Sequence, residues 1–97
     1  MKKVYLDNAA TTEIDSEVLE VMVQSMKDDY GNPSSSHSFG RKSRAVIETS
    51  RRNIAKFLNA NSSELFFTSG GTEADNMAIR GAVRVAGVTH IITSRIE

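Results

Sequence analysis

A short polar stretch with two glycines, Ser69-Gly70-Gly71-Thr72, is the part of this 97-residue sequence best suited to binding chemistry. Glycines let a ligand approach the backbone with no Cβ in the way, and the two hydroxyl groups are hydrogen-bond donors. If a helix begins here, its first N–H groups lack partners within the helix, and the helix dipole is positive at this end. The stretch therefore predicts a cradle for a phosphate group.

Residues on both sides of this stretch indicate the elements that would position it. Residues 65–67 form an apolar run with strand propensity, and apolar residues recur at helical spacing from Thr72 toward Gly87. Thr72 is a good N-cap, and Asp75 makes a near-match to a capping box. An ordinary turn between a strand and a helix explains the same pattern without a ligand. A nucleotide-binding domain is disfavoured, because the P-loop lysine, the GxGxxG fingerprint and a ribose-binding acid are missing.

Three further segments have regular patterns. Asp15 is a candidate N-cap for a helix whose apolar residues recur at spacings of three and four up to Met26. A second helix is predicted over residues 41–58, and the β-branched residues 88–94 have the pattern of a buried strand. The order of strand, helix and strand in the last third predicts a βαβ unit with parallel pairing, so the predicted fold class is α/β.

The long irregular stretch between the first two helices, residues 30–40, contains the sole proline and is rich in serine. We predict an ordered loop rather than a flexible linker, because Tyr30, His37 and Phe39 supply anchors. His37 itself is most simply a surface histidine. The helix that follows is predicted to present a solvated face or a subunit contact rather than a nucleic-acid site, because no aromatic residues are interleaved with its basic residues. These basic residues are Arg41, Lys42, Arg44, Arg51 and Arg52.

The composition excludes several classes of protein. Hydrophobic residues make up 39% and charged residues 25% of the chain, which is ordinary for a soluble globular protein, and the net charge is zero. Neither a basic field for nucleic acid nor an apolar run near the ~18 residues of a membrane helix is present. The N-terminus lacks the apolar part of a signal peptide, so the expected location is cytoplasmic. Without cysteine, these residues hold no disulfide, zinc–thiolate site or thiol nucleophile.

Three motifs, in their order and spacing, resemble those of a known enzyme family. They are YLDNAATT at residues 5–12, GNPSSSHSFG at residues 31–40 and FTSGGTEADN at residues 67–76. Together they closely resemble the N-terminal part of cysteine desulfurases of the NifS/IscS type, which are pyridoxal-phosphate enzymes of the class V aminotransferase group. The resemblance covers essentially the whole chain, and three motifs in register are far more specific than any one alone.

The resemblance implies a fold and a cofactor site. The fold would be that of a fold type I pyridoxal-phosphate enzyme, with residues 1–14 as an N-terminal segment near the mouth of the active site and residues 15–97 as the start of the large cofactor-binding domain and its mainly parallel sheet. Gly71 and Thr72 would bind the cofactor phosphate through backbone N–H groups and the Thr72 hydroxyl. The family often has Ala at the position of Gly71 and Asn at that of Asp75, and here Asp75 adds a negative charge to the first helical turn. The loop near the N-terminus would line the substrate pocket with Asn8, Ala10 and Thr11.

The resemblance also implies the activity of an intact family member. Such an enzyme would take sulfur from L-cysteine, release alanine, and pass a persulfide to a sulfur-acceptor protein for iron–sulfur or thio-cofactor assembly, as a homodimer. None of the lysines here matches the family's Schiff-base lysine, and there is no cysteine, so we assign no catalytic residue or metal ligand to this chain and expect it to be an inactive N-terminal fragment. The lysines are Lys2, Lys3, Lys27, Lys42 and Lys56.

Two alternatives to a cysteine desulfurase remain open at the level of sequence. A selenocysteine lyase or another class V relative is the alternative within the same class of enzymes. A non-catalytic truncated product, which binds pyridoxal phosphate weakly or not at all, would equally lack the lysine and the cysteine. The NAATT motif and the GNPSS-x-His loop favour the NifS/IscS branch.

Overall fold

The structure is a computed structural model that describes residues 1–96. The chain divides into two compact units, Met1–Ser62 and a second unit that begins at Ser63. The described residues form three α-helices and one 3₁₀ turn. These elements are α1 (Ser16–Asp28), α2 (Ser38–Phe57), the 3₁₀ turn (Ser62–Glu64) and α3 (Gly71–Arg84). None of these helices is long and apolar enough to cross a membrane.

Helix α1 begins where its sequence predicts. Asp15 is the N-cap, and its side-chain oxygen accepts a hydrogen bond of 2.9 Å from the Glu17 N–H. This bond supplies a partner for one of the N–H groups that a helix start leaves unpaired. At the other end, the Asp29 N–H donates to the Ser25 carbonyl at 2.8 Å. The N-cap prediction for Asp15 is confirmed.

Helix α2 begins three residues before the predicted start at residue 41. Its N-cap is His37, whose Nδ1 accepts a hydrogen bond of 3.3 Å from the Gly40 N–H. Histidine is not among the favoured N-cap residues, so this helix start is not predictable from the usual capping preferences. The helix ends at Phe57, and Asn59 reverses the chain with a φ of 51°. Asparagine is one of the few side chains that tolerate this left-handed conformation.

Two glycines allow close packing in the loop of residues 30–40. A Cβ on Gly31 would lie 2.5 Å from the Phe39 carbonyl group. A Cβ on Gly40 would lie 2.5 Å from each of two backbone oxygens, those of Asn32 and Ser35. The Tyr30 and Phe39 rings are 5.7 Å apart, which is a normal distance for an aromatic pair. The loop backbone therefore lies directly against the start of α2.

Four consecutive side chains at the start of α2 bind the backbone of this loop and of the end of α1 before it. We call them the carbonyl clamp: each donates a hydrogen bond to a main-chain oxygen between residues 28 and 36. Three of the bonds measure between 2.8 and 3.0 Å. The pairs are Arg41 with Ser36, Lys42 with Asp28, Ser43 with Asp29, and Arg44 with Pro33. The basic residues predicted to form a solvated face or a subunit contact thus include two that bind this loop, Arg41 and Arg44, and one, Lys42, that binds the last residue of α1.

Burial is sparse throughout the described residues. Only Gly40, Ser43 and Ala55 are buried, and all three belong to α2. Apolar side chains of both helices of the first unit remain exposed, including Val21 at 68% and Phe57 at 92%. The first unit is therefore held by hydrogen bonds around its loop more than by an apolar core.

The second unit contains helix α3 but no β-strand within residues 63–96. The strands predicted at residues 65–67 and 88–94 are absent there, so the predicted start of a mainly parallel sheet is not confirmed. A strand requires a regular ladder of hydrogen bonds to a neighbouring strand, and fewer than three strands seldom hold together. Helix α3 ends at Arg84, and Gly87 follows with a φ of 66°. The proposed domain boundary between residues 14 and 15 stays a prediction.

Candidate functional site

The turn before α3 places two glycines at the start of a helix. Gly70 is the N-cap of α3 and is fully extended, with φ 173° and ψ 179°. The prediction that Thr72 is the N-cap is wrong, because the helix already begins at Gly71 and Thr72 lies within its first turn. The Thr68 hydroxyl donates to the Gly70 carbonyl at 3.1 Å, and the Ala74 N–H donates to the same oxygen at 3.2 Å. These bonds define the start of the helix.

Gly71 and Thr72, the two residues predicted to bind a phosphate, come together at this helix start. Both are exposed, and the space where Gly71 would carry a Cβ is open to a distance of 4 Å. In the first turn of an α-helix, N–H groups have no acceptor within the helix, and the dipole is positive there. The N–H groups of both residues and the Thr72 hydroxyl are therefore a compatible donor set for a phosphate.

Ser69, the other predicted hydroxyl donor, is engaged by a residue of the same loop. A single oxygen of Glu73, Oε2, accepts the Ser69 N–H at 2.8 Å and the Ser69 hydroxyl at 2.5 Å. These two bonds, the hydroxyl first, lower the pKa of the Glu73 carboxyl below its usual value of 4.5. The loop thus contains a carboxylate that stays ionised at neutral pH.

The sequence pattern did not indicate the contribution of Glu73, because it placed the helix start two residues too late. With Gly70 as N-cap, Glu73 occupies the third helical position, where a capping-box glutamate belongs. Asp75, to which the sequence assigned that place, is exposed and lies outside these hydrogen bonds. The sequence pattern that indicates this role is a glutamate three residues after a glycine N-cap.

Other residues singled out in the sequence have local structural partners in the first unit. The Thr11 hydroxyl is 2.6 Å from the Tyr5 hydroxyl, which also donates to the Asp7 carbonyl at 2.9 Å. The turn over Asn8 and Ala10 is exposed. Their predicted place in a substrate pocket stays a prediction. No group of three or more metal-ligating side chains occurs in the described part of the chain.

Comparison with known proteins identifies the family. The family model for class V aminotransferases (Aminotransferase class-V) matches residues 4–97, nearly the entire chain. The chain belongs to this family. The match includes all three sequence motifs and the α3 turn with its two candidate phosphate-binding residues.

Curated relatives in this family are close in sequence. The chain is 51% identical to "Cysteine desulfurase IscS" of Dictyoglomus turgidum, with 99% of this chain and 25% of the relative covered. It is 50% identical to "Putative cysteine desulfurase IscS 1" of Bacillus subtilis, with 100% of this chain and 26% of the relative covered. It is 48% identical to "Cysteine desulfurase IscS" of Methanosarcina thermophila, with 99% of this chain and 24% of the relative covered.

These similarities confirm the resemblance to cysteine desulfurases that the three motifs predict. The chain spans about a quarter of the length of these curated relatives. No solved structure matches the chain.

Proposed function

We propose that this chain supplies the N-terminal, phosphate-binding part of a pyridoxal-phosphate-dependent cysteine desulfurase. The observation that carries the proposal is an identity of about one half, over the whole chain, to relatives named cysteine desulfurase. The intact protein would convert L-cysteine to L-alanine and transfer the sulfur, as a persulfide, to an acceptor protein. It would have the α/β architecture of fold type I, act as a homodimer, and work in the cytoplasm.

The α3 turn is chemically suited to the cofactor phosphate. The Gly71 and Thr72 N–H groups and the Thr72 hydroxyl would hold the phosphate oxygens, because these donors have no competing acceptor within the helix start. The open space beside Gly71 lets an oxygen approach the backbone. When bound, the cofactor supplies an electron sink for the chemistry at the substrate carbon. The contribution of this chain is to bind and orient one end of the cofactor.

Catalytic chemistry is proposed to depend on residues outside this chain. The family's Schiff-base lysine and persulfide-forming cysteine have no counterpart among the positions of these 97 residues, which contain no cysteine at all. Iron–sulfur cluster or thio-cofactor assembly is the proposed use of the sulfur.

Replacing Thr72 with valine in the full-length protein tests the phosphate assignment. Pyridoxine 5′-phosphate is a suitable probe, because it lacks the aldehyde and reports binding without covalent attachment. Loss of the hydroxyl removes one hydrogen bond to a charged group, worth about 1.5–3 kcal/mol, and should weaken the probe's affinity by roughly tenfold or more. Titration calorimetry measures this change.

Thr89→Val is the matched control, because Thr89 is exposed and lies outside α3. It should bind pyridoxine 5′-phosphate with the affinity of the wild type. Equal affinities for Thr72→Val and wild type would contradict the phosphate assignment. Production of alanine from L-cysteine by the full-length protein, dependent on added pyridoxal phosphate, tests the proposed reaction; an added dithiol reduces the persulfide and releases its sulfur as sulfide for measurement.

A further inference from the structure

The Ser69–Glu73 contact bridges the two glycines of the α3 turn. Ser69 precedes the cap residue Gly70, while Glu73 is the third residue of the helix. Both hydrogen-bonding groups of Ser69 end on one oxygen of Glu73, at 2.8 and 2.5 Å. The contact therefore closes a ring over Gly70 and Gly71.

No other part of the described chain packs against these glycines. Apart from chain neighbours and the backbone of α3, no atom lies within 4 Å of the position that a Cβ would occupy on Gly70 or Gly71. Glycine populates a wider range of backbone conformations than any other residue, so two in succession lose much entropy when they are ordered. The Thr68 hydroxyl and the Ala74 N–H bind the Gly70 carbonyl, and the Asn76 side-chain amide donates to the Thr72 carbonyl at 2.8 Å. None of these bonds reaches Ser69.

We propose that Glu73 is a positioning residue for the cofactor phosphate: by binding Ser69 across Gly70 and Gly71, it fixes the N–H groups of Gly71 and Thr72 in the conformation that receives the phosphate. This inference rests on the proposed function of the turn. Glu73 does not touch the phosphate in this scheme. It acts through the backbone that does.

Simple electrostatics makes the opposite prediction, which gives the proposal a sharp test. Glu73 places a negative charge in the first turn of α3, where a phosphate dianion would bind, so removing the charge alone should strengthen phosphate binding. Glu73 is exposed, and salt and water screen that repulsion. If ordering of the turn outweighs repulsion, removing the side chain should weaken binding instead.

Three variants of the full-length protein separate the two effects. E73A removes the charge and both hydrogen bonds. E73Q removes the charge and keeps an oxygen that can accept from Ser69. D75N removes a charge from the same helical turn without touching the Ser69 contact. Affinity for pyridoxine 5′-phosphate, relative to pyridoxine without the phosphate, isolates the contribution of the phosphate in each variant.

We expect a defined order of affinities for pyridoxine 5′-phosphate. If the competent conformation falls to between a third and a tenth of the population in E73A, its affinity drops by about three- to tenfold. E73Q should stay within about twofold of the wild type, and D75N should bind as tightly or slightly more tightly, because it loses only a screened charge. Pyridoxine should bind all four proteins equally. Amide hydrogen exchange in residues 67–77 of the ligand-free protein should be faster in E73A alone.

Two kinds of failure can be told apart. If E73A binds pyridoxine 5′-phosphate as tightly as D75N or more tightly, Glu73 acts as a repulsive charge and the positioning role is wrong. If the wild type does not distinguish pyridoxine 5′-phosphate from pyridoxine, the phosphate site itself is wrong, and the proposed function fails with it. Should E73A not fold, S69A removes only the hydroxyl half of the contact. A loss of about twofold to threefold would support the proposal, and unchanged affinity would overturn it.

Discussion

Replacing Gly40 with alanine should destabilise the loop of residues 30–40 by a predictable amount. The new Cβ would lie 2.5 Å from the backbone oxygens of both Asn32 and Ser35. Ordinary contact begins at 3.4 Å, so each oxygen would have to retreat by about 0.9 Å. Gly40 is buried, and these main-chain oxygens cannot rotate away as the end of a side chain would.

Two opposing contributions determine how much the free energy of unfolding changes in Gly40→Ala. Overpacking in a well-packed region typically lowers the free energy of unfolding by about 1–3 kcal/mol. Close contact with two backbone oxygens favours the upper end of that range. Alanine is better than glycine inside a helix by about 1 kcal/mol, which offsets part of the cost. We therefore expect a net loss of ~2 kcal/mol, or roughly thirtyfold in the equilibrium constant for opening the loop. The hydrogen bond from the Ser35 N–H to the Asn32 carbonyl, at 3.0 Å, should weaken with it.

Urea denaturation and amide hydrogen exchange in the full-length protein measure both quantities. Gly81→Ala is the matched control, because Gly81 lies inside α3 and nothing lies within 4 Å of its Cβ position. That variant should be stabilised by up to about 1 kcal/mol. If Gly40→Ala were as stable as the wild type, with exchange at Ser35 unchanged, the close approach would not constrain the loop and the reasoning would be refuted.

Two further predictions concern the first unit. Asp15→Ala should destabilise α1 by about 1 kcal/mol through loss of the cap to the Glu17 N–H, measured by denaturant unfolding; a variant with unchanged stability would contradict the cap. Lys42, hydrogen-bonded to Asp29 at 3.0 Å, has its pKa raised above the usual 10.5 by that bond. The charge-dependent part of its stabilisation is therefore fully present below pH 10.5 and is lost as the pH rises through the raised pKa. Lys42→Met should be less stable than the wild type at neutral pH, and the difference should shrink at higher pH, where the neutral amine can still donate to the Asp28 carbonyl. A difference independent of pH would show that packing, rather than charge, is responsible.

Sequence patterns predicted the helices better than the extended segments, for a physical reason. The bonds of a helix and its caps are local, so Asp15 and the apolar spacing up to Met26 suffice to place α1. Strands at residues 65–67 and 88–94 depend on partners that the pattern cannot supply. Local rules also failed at His37, because a ring nitrogen there takes the capping role usually filled by a shorter side chain.

The sequence predicted which residues lie at the backbone turn of the candidate site, but it did not predict how the side chains there pair with one another. Gly71 and Thr72 fall at the helix start because two glycines and a threonine favour a turn into a helix. Ser69 was predicted as a phosphate donor, yet its hydroxyl and N–H bind Glu73. Sequence rules place a helix start only within a residue or two. The pairing of neighbouring polar groups depends on that position, so it could not be predicted.

The carbonyl clamp has a consequence for redesign of this protein. Because Arg41 and Arg44 bind main-chain oxygens of the loop, the groups they recognise are present whatever side chains residues 33 and 36 carry. The course of the loop is thus set partly by side chains of α2 and partly by its own Gly31, Asn32 and Gly40. Exposed positions such as 34 and 36 can accept new chemical groups while the backbone that presents them keeps its course. The first unit is in this sense a ready framework for grafting a variable surface onto a fixed path of chain.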